Sequence, residues 1–248
     1  MTADEIRPTT PEGLPVEGGE RSTWDNFRDV ILEPSATFED VSRRPKVLVP
    51  LIIMCVATTI ISYFLMPLYA ELQELGLARQ EMSPEQREQA QRMMENFKWL
   101  GLVFAPVSVV FFTAIFALLF WAWGAISGAK NATFKIAFSA LVYGGAIYIL
   151  QGIAQAIVVQ VKGAEQVALE GGPPTFGLAL FLERGDMGRW LWGLLASVNF
   201  FAIWSAIVVA IAGVYALKMS KGSAYAFAVV SWLIAALMFA AFQVQPAG

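Results

Sequence analysis

The sequence predicts an all-α polytopic membrane protein. The expected architecture is a compact bundle of five transmembrane helices with an amphipathic N-terminal helix and an extracytoplasmic helical hairpin. Three observations carry this: a deficit of charge, its segregation into short blocks, and the length of the uncharged windows. Of 248 residues, 57% are hydrophobic and 15% charged, against about 25% charged in a soluble domain. Windows 47–70, 99–129, 136–161, 190–217 and 222–248 contain no Asp, Glu, Lys or Arg. A helix of about 20 residues crosses the roughly 30 Å hydrocarbon core, and every window is longer than that. A soluble enzyme, a secreted disulfide scaffold and a nucleic-acid binder are excluded.

The N-terminal stretch 1–22 holds Pro8, Pro11, Pro15, several glycines and five acidic residues, with almost no large apolar groups, and reads as a disordered cytosolic tail. It contains no apolar core of a cleavable leader, so the first span is expected to act as an uncleaved anchor. Residues 23–46 read as an amphipathic juxtamembrane segment. Ser22-Thr23 supplies an N-cap. Trp24, Phe27, Val30 and Ile31 then recur at helical spacing opposite Asp25, Arg28 and Asp29, which suits a helix resting on the membrane surface or on the bundle. Pro34 ends that helix. Phe38 and Val41 share one face of the next turn, and Pro45 stops it. Arg43, Arg44 and Lys46 stand immediately before the first span as topology anchors.

The membrane domain, 47–243, is expected to contain spans at about 50–67, 99–126, 136–160, 190–217 and 224–242. Between the first two, Leu68, Leu72 and Leu75 continue a helix. Ser83-Pro84-Glu85-Gln86 restarts one, with Ser83 as N-cap, Pro84 at the first helical position and Gln86 closing a capping box. These are the arms of the expected hairpin. In 162–189, Gly171-Gly172-Pro173-Pro174 is a firm break, and the apolar run 175–182 is too short to span and suits an interfacial or partly re-entrant helix.

Basic residues set the orientation. Six Lys/Arg precede the first span, and the short connectors 130–135 and 218–221 carry two each with no acid. The two long loops are net acidic. Five spans with the N-terminus inside put every basic segment in the cytoplasm and the C-terminus outside, as the positive-inside rule requires. The expected location is a bacterial cytoplasmic (inner) membrane.

No charge lies within a span, which argues against carriers built on intramembrane carboxylates, voltage sensors and intramembrane aspartyl proteolysis. The chain has no His and a single cysteine, Cys55. Ser–His and Cys–His nucleophile pairs and His-ligated zinc or haem are thereby excluded, as is an intramolecular disulfide. Phosphate loops and Gly-x-Ser-x-Gly are absent, so no catalytic residue, cofactor or metal is expected. The polar residues left in the spans are Thr58, Thr59, Ser62, Ser108, Thr113, Gln151, Gln155, Asn199 and Ser205. Gln151 and Gln155 are four apart and share a face. With Asn199 and Trp204 they form the candidate polar group, readable as a polar path or as interhelical hydrogen bonding. Small residues at four-residue spacing, such as Ala202, Ala206 and Ala210, favour close helix packing.

The pattern Pro34-x3-Phe38-x2-Val41-x3-Pro45-x4-Pro50 before the first span resembles the membrane-domain entry of the Yip (Ypt-interacting protein) family, in its prokaryotic branch. Asn199-Phe200-x3-Trp204 followed by Gly213 resembles that family's Asn-x-x-x-x-Trp segment. The resemblance covers roughly residues 30–240. It implies a small all-helical membrane domain with a cytosolic N-terminus, in a family whose eukaryotic members are associated with Rab-type GTPases, trafficking and membrane shaping. The Asp-Leu-Tyr-Gly-Pro segment of that eukaryotic branch is missing, so GTPase binding is not expected to carry over. Two functions stay open. One is a non-enzymatic scaffold or adaptor contacting the lipid bilayer and other membrane proteins. The alternative is a small-solute or lipid transporter with a polar path between spans three and four.

Overall fold

A computed structural model describes residues 21–78, 83–97, 99–181 and 188–241. The expected tail thus lies outside the described residues, except for Arg21 and Ser22. Among the described residues the chain is helical throughout, with one isolated bridge between Gly177 and Asn199 in place of strands. The elements are α1 (Thr23–Leu32), α2 (Pro34–Arg43), α3 (Leu48–Ala78), α4 (Pro84–Phe97), α5 (Leu100–Ile126), α6 (Phe134–Gly144), α7 (Ala146–Lys162), α8 (Ala164–Leu169), α9 (Arg189–Ser197), α10 (Phe200–Tyr215) and α11 (Lys221–Ala241), with a 3-10 turn at Leu178–Phe181.

Local chemistry sets the helix starts. Ser22 and Asp25 exchange side-chain and backbone hydrogen bonds in a capping box at α1. The Ser22 hydroxyl donates to the Asp25 carboxylate and, with the Ser22 N–H, holds it below the usual carboxylate range. Pro34 follows the end of α1 and opens α2 at a first-turn position, where its missing N–H costs nothing. At α4, the Ser83 N–H donates to Gln86 Oε1 and the Gln86 N–H to Ser83 Oγ, completing the expected box. The α1–α2 pair is built into the bundle. Val30, Phe38 and Val41 are fully buried in the main core with Tyr143, Ile147 and Val208, and Phe27 packs on the Tyr143 ring at 5.0 Å. The charged side stays paired, with Asp29 accepting from Arg21 and Arg28.

Among the described residues, four stretches are long and apolar enough to cross a membrane: Leu48–Ala78, Leu100–Ile126, Phe134–Lys162 and Lys221–Ala241. The third is two helices, α6 and α7, meeting at Gly145. The expected fourth span does not form one helix. It is interrupted at Val198 and Asn199, leaving α9 and the 16-residue α10. Asn199 adopts an extended backbone and caps α10 through its side chain. The backbone groups freed by the break pair with a distant segment: the Phe200 N–H donates to the Phe176 carbonyl, and the Leu178 N–H to that of Val198. This satisfies groups that would otherwise be orphaned in hydrocarbon. The same pairing accounts for a second departure. The run 175–182, read as a short helix, is an extended contact at Gly177 and only a turn of 3-10 helix over Leu178–Phe181; Leu182 lies outside the described residues.

Both arms of the expected hairpin are helical, but α4 is not among the closely packed helix pairs. The far part of α3 instead leans on α7 and α8, where Leu65 and Leu68 cluster with Ala156, Val159 and Val167. The outer faces of α3, α5 and α11 expose Ile52, Val56, Phe104, Phe111, Leu233 and Leu237, as lipid-facing helices do.

Candidate functional site: a cavity within the bundle

One end of the bundle is tied together by short-range bonds. Asn131, in the α5–α6 connector, donates from its side chain to Ser42 and Ala216, and from its backbone to Leu217. Ser139 donates to the Lys46 carbonyl. The Trp123 indole N–H donates to Ser223, and Phe120 and Trp123 pack on Phe227. Arg43, Arg44 and Lys46 stand at this end beside the connectors that carry Lys130, Lys135, Lys218 and Lys221. Arg43 and Arg44 are exposed, while the Lys46 ammonium donates to the Arg21 carbonyl. The motif before the first span serves this end. Phe38 and Val41 anchor α2, Pro45 sits in the link after it, and Pro50 is buried in the first turn of α3. Asn131 and Ser139 escaped sequence reading, because a lone amide in a polar connector and a serine in an apolar helix carry no distinguishing pattern.

Away from this end the helices frame an open-sided cavity of about 790 Å³. Helices α3, α5, α6 and α7 form one side of it, and α9, α10 and α11 the other. Such a volume falls within the range of small-ligand sites, roughly 300–1,000 Å³. The packing explains its shape. Helix α5 packs mainly on α3 and α6, whereas α11 packs on α9 and α10. The ring contacts and hydrogen bonds that join α5 to α11 all lie near Trp123 and Ser223. Farther along, Phe112 and Phe116 of α5 and Ala235 and Phe239 of α11 line the cavity from its two sides, so its wall between α5 and α11 is not closed by close helix packing.

The lining is mostly apolar and contains no charged residue. Gln151, Gln155 and Asn199 all line this one space, while Trp204 does not; it packs on Phe200 at 5.3 Å. Two of the three amides are already used. Gln155 Nε2 donates to the Pro174 carbonyl at 3.1 Å. Asn199 Oδ1 accepts from the Ala202 N–H, and its Nδ2 donates to Ala196. The Gln151 amide has no hydrogen-bond partner among the described residues. Hydroxyls come from Thr58 of α3, Ser108 and Thr113 of α5, Thr175 of the loop after α8 and Ser205 of α10, and from Ser197 and Ser231, which donate to Gly193 and Ala228. Ser205 is only 6% exposed and has no hydrogen-bond partner among the described residues. The Trp232 indole nitrogen, on another residue of the lining, is buried and unpartnered among the described residues. Neither a metal-ligating cluster nor a nucleophile–base pair is found among the described residues.

The cavity can therefore accept an uncharged, largely apolar guest and offer it a few hydroxyl and amide contacts. A bare ion or a charged solute would meet no compensating charge there. A family model described as the Yip1 domain matches residues 28–242. No curated protein and no solved structure matches the chain.

Proposed function

The chain belongs to the Yip1 domain family, and from that premise we propose that it is a non-catalytic integral membrane protein that takes the hydrocarbon chain of a membrane lipid into its bundle. The cavity carries this reading: about 790 Å³, uncharged, apolar for most of its lining, and flanked by α5 and α11 where they do not pack together. Hydrocarbon already surrounds such a protein, so a chain can enter sideways without crossing a polar barrier. A polar path for solutes is less well supported, because Gln155 and Asn199 spend their amides on Pro174, Ala196 and Ala202. In this reading the basic end faces the cytoplasm and the chain crosses five times, α9 and α10 together making the fourth passage.

Photolabelling with phosphatidylglycerol bearing a diazirine in its acyl chain tests this. Adducts are expected on cavity residues such as Phe112, Phe116 and Ala235, and are expected to fall in Ala206→Phe, which fills the space from α10. Adducts confined to outward residues such as Phe111 and Leu237, unchanged by Ala206→Phe, would overturn it.

An adaptor role at the basic end is a second reading. Trp24 and Leu32 of α1 are 72% and 70% exposed, outside the packed core, and large exposed apolar side chains are common anchors for partner proteins. Crosslinking in native membranes should recover a reproducible partner that Trp24→Ser with Leu32→Ser loses. Recovery undiminished in the double variant would dismiss α1 as the docking element.

A further inference from the structure

The geometry points to a specific class of guest: an uncharged lipid whose oxygen lies near the bilayer midplane, held by hydroxyls of Thr58, Thr113 and Ser205. This rests on the chain-binding reading and sharpens it. The three side chains come from α3, α5 and α10, all line the same cavity, and none has a hydrogen-bond partner among the described residues. Ser205 is 6% exposed as a residue, yet its hydroxyl oxygen is not a fully buried atom, which suits a group facing the cavity it lines.

Their depths agree. Thr58 is ten residues into α3 from Leu48, and Ser205 ten residues from Tyr215, where α10 ends; both helix ends lie at the basic end. At 1.5 Å per residue, each hydroxyl lies about 15 Å in, half of a hydrocarbon core about 30 Å thick. On α5, Thr113 is thirteen residues from Ile126, or about 20 Å, and Ser108 eighteen, or about 27 Å, so Thr113 is the α5 hydroxyl nearer that level. A phospholipid headgroup is fixed at the surface, so its ester oxygens lie about half a core thickness, roughly 15 Å, from this level. No charged side chain lines the cavity to draw a headgroup inward. The matching guest is a lipid with no charged head, able to sink to the midplane and present a carbonyl or hydroxyl oxygen. Hydroxyl side chains both donate and accept, so either oxygen suits them. Acylglycerols and lipid quinones share this chemistry.

Competition against the diazirine phosphatidylglycerol label in nanodiscs separates the cases. Dioleoylglycerol, decylubiquinone and hexadecane are added in turn, the last matching the apolar volume without an oxygen. At least one oxygen-bearing competitor is expected to displace cavity labelling at about one-tenth the concentration needed for hexadecane, and which one succeeds names the source. In Ser205→Ala with Thr113→Val that advantage, read against hexadecane in the same variant, should shrink about tenfold, the effect of losing one or two hydrogen bonds. Equal competition by all three, or an advantage that survives the double variant, overturns the proposal and leaves chain binding intact. Absence of cavity labelling in the unmodified protein removes both. A thermal-shift measurement on each variant confirms that the fold persists.

Discussion

A buried tyrosine without a partner is the sharpest local conflict in the molecule. Tyr143 is fully buried in the main core, packed against Phe27, and its hydroxyl makes no hydrogen bond; Asn26 Oδ1, on the same α1 helix as Phe27, is likewise unsatisfied. Withholding a buried hydroxyl from any partner costs about 1–3 kcal/mol, whereas the ring contributes apolar burial and an aromatic contact. Removing the oxygen alone should therefore relieve a penalty. Tyr143→Phe is expected to raise the thermal unfolding midpoint or leave it unchanged, and Tyr143→Ala to lower stability by about 3–5 kcal/mol as for a large-to-small core change. A marked loss in Tyr143→Phe would show that the hydroxyl has a partner in the folded protein. The same distinction between presence and use decides what was legible at the cavity. Gln151, Gln155, Asn199, Ser205, Thr58 and Thr113 stand out in sequence as polar residues in apolar runs. Which are consumed by structure depends on carbonyls such as that of Pro174, nineteen residues from Gln155, and spacing does not reveal that. Gln151, Gln155 and Asn199 line one space, while the Trp204 indole packs on Phe200.

At the scale of elements, signals written within a few residues were readable and pairings made at a distance were not. Ser22 with Asp25, Pro34, and Ser83 with Gln86 each determine a helix start through neighbours up to three positions away. The break in the fourth apolar stretch is different. Val198 and Asn199 lie inside a window with no charge and no proline, which by composition should continue as helix. The interruption is stabilised by Phe176, Gly177 and Leu178, which supply backbone partners from the preceding loop. Gly177 is the vulnerable point of that clasp. A Cβ there would run into the Val198 carbonyl oxygen and would lie 2.6 Å from the Asn199 Cα, and neither backbone atom can swing aside. Gly177→Ala is expected to destabilise the protein by more than Asn199→Ala, whose loss as an N-cap is worth about 1 kcal/mol. Thermal melts in one detergent compare them directly, and a Gly177→Ala melt matching the unmodified protein would mean that α9 and α10 are held apart by something other than this bridge.

At the scale of the whole molecule, the number of membrane passages turns on α10. Its 16 residues make a helix of about 24 Å, short of a core about 30 Å thick, so alone it does not span. Its C-terminal end is tied to the basic end through Asn131, whose side chain donates to the Ala216 carbonyl and whose backbone donates to that of Leu217. Its N-terminal end is clasped to Phe176 and Gly177, in the loop that follows α7 and α8. Phe134–Lys162 starts beside Asn131 and is long enough to cross, which in the proposed arrangement puts that loop on the opposite side. In the five-passage arrangement proposed above, α10, extended by the break and α9, brings the chain back across the membrane. Helix α11 leaves the basic end at Lys221, so the same arrangement puts its far end on the side of α4. The resulting prediction separates four passages from five. In a Cys55→Ser background, single cysteines at Glu39, Gln91 and Ala241 are treated with a membrane-impermeant maleimide on intact spheroplasts. Gln91→Cys and Ala241→Cys are expected to label at once, and Glu39→Cys only after permeabilisation. Labelling of Ala241→Cys together with Glu39→Cys would mean that the chain crosses an even number of times. The clasped α9–α10 pair would then dip into the bilayer and return, instead of completing the fourth passage.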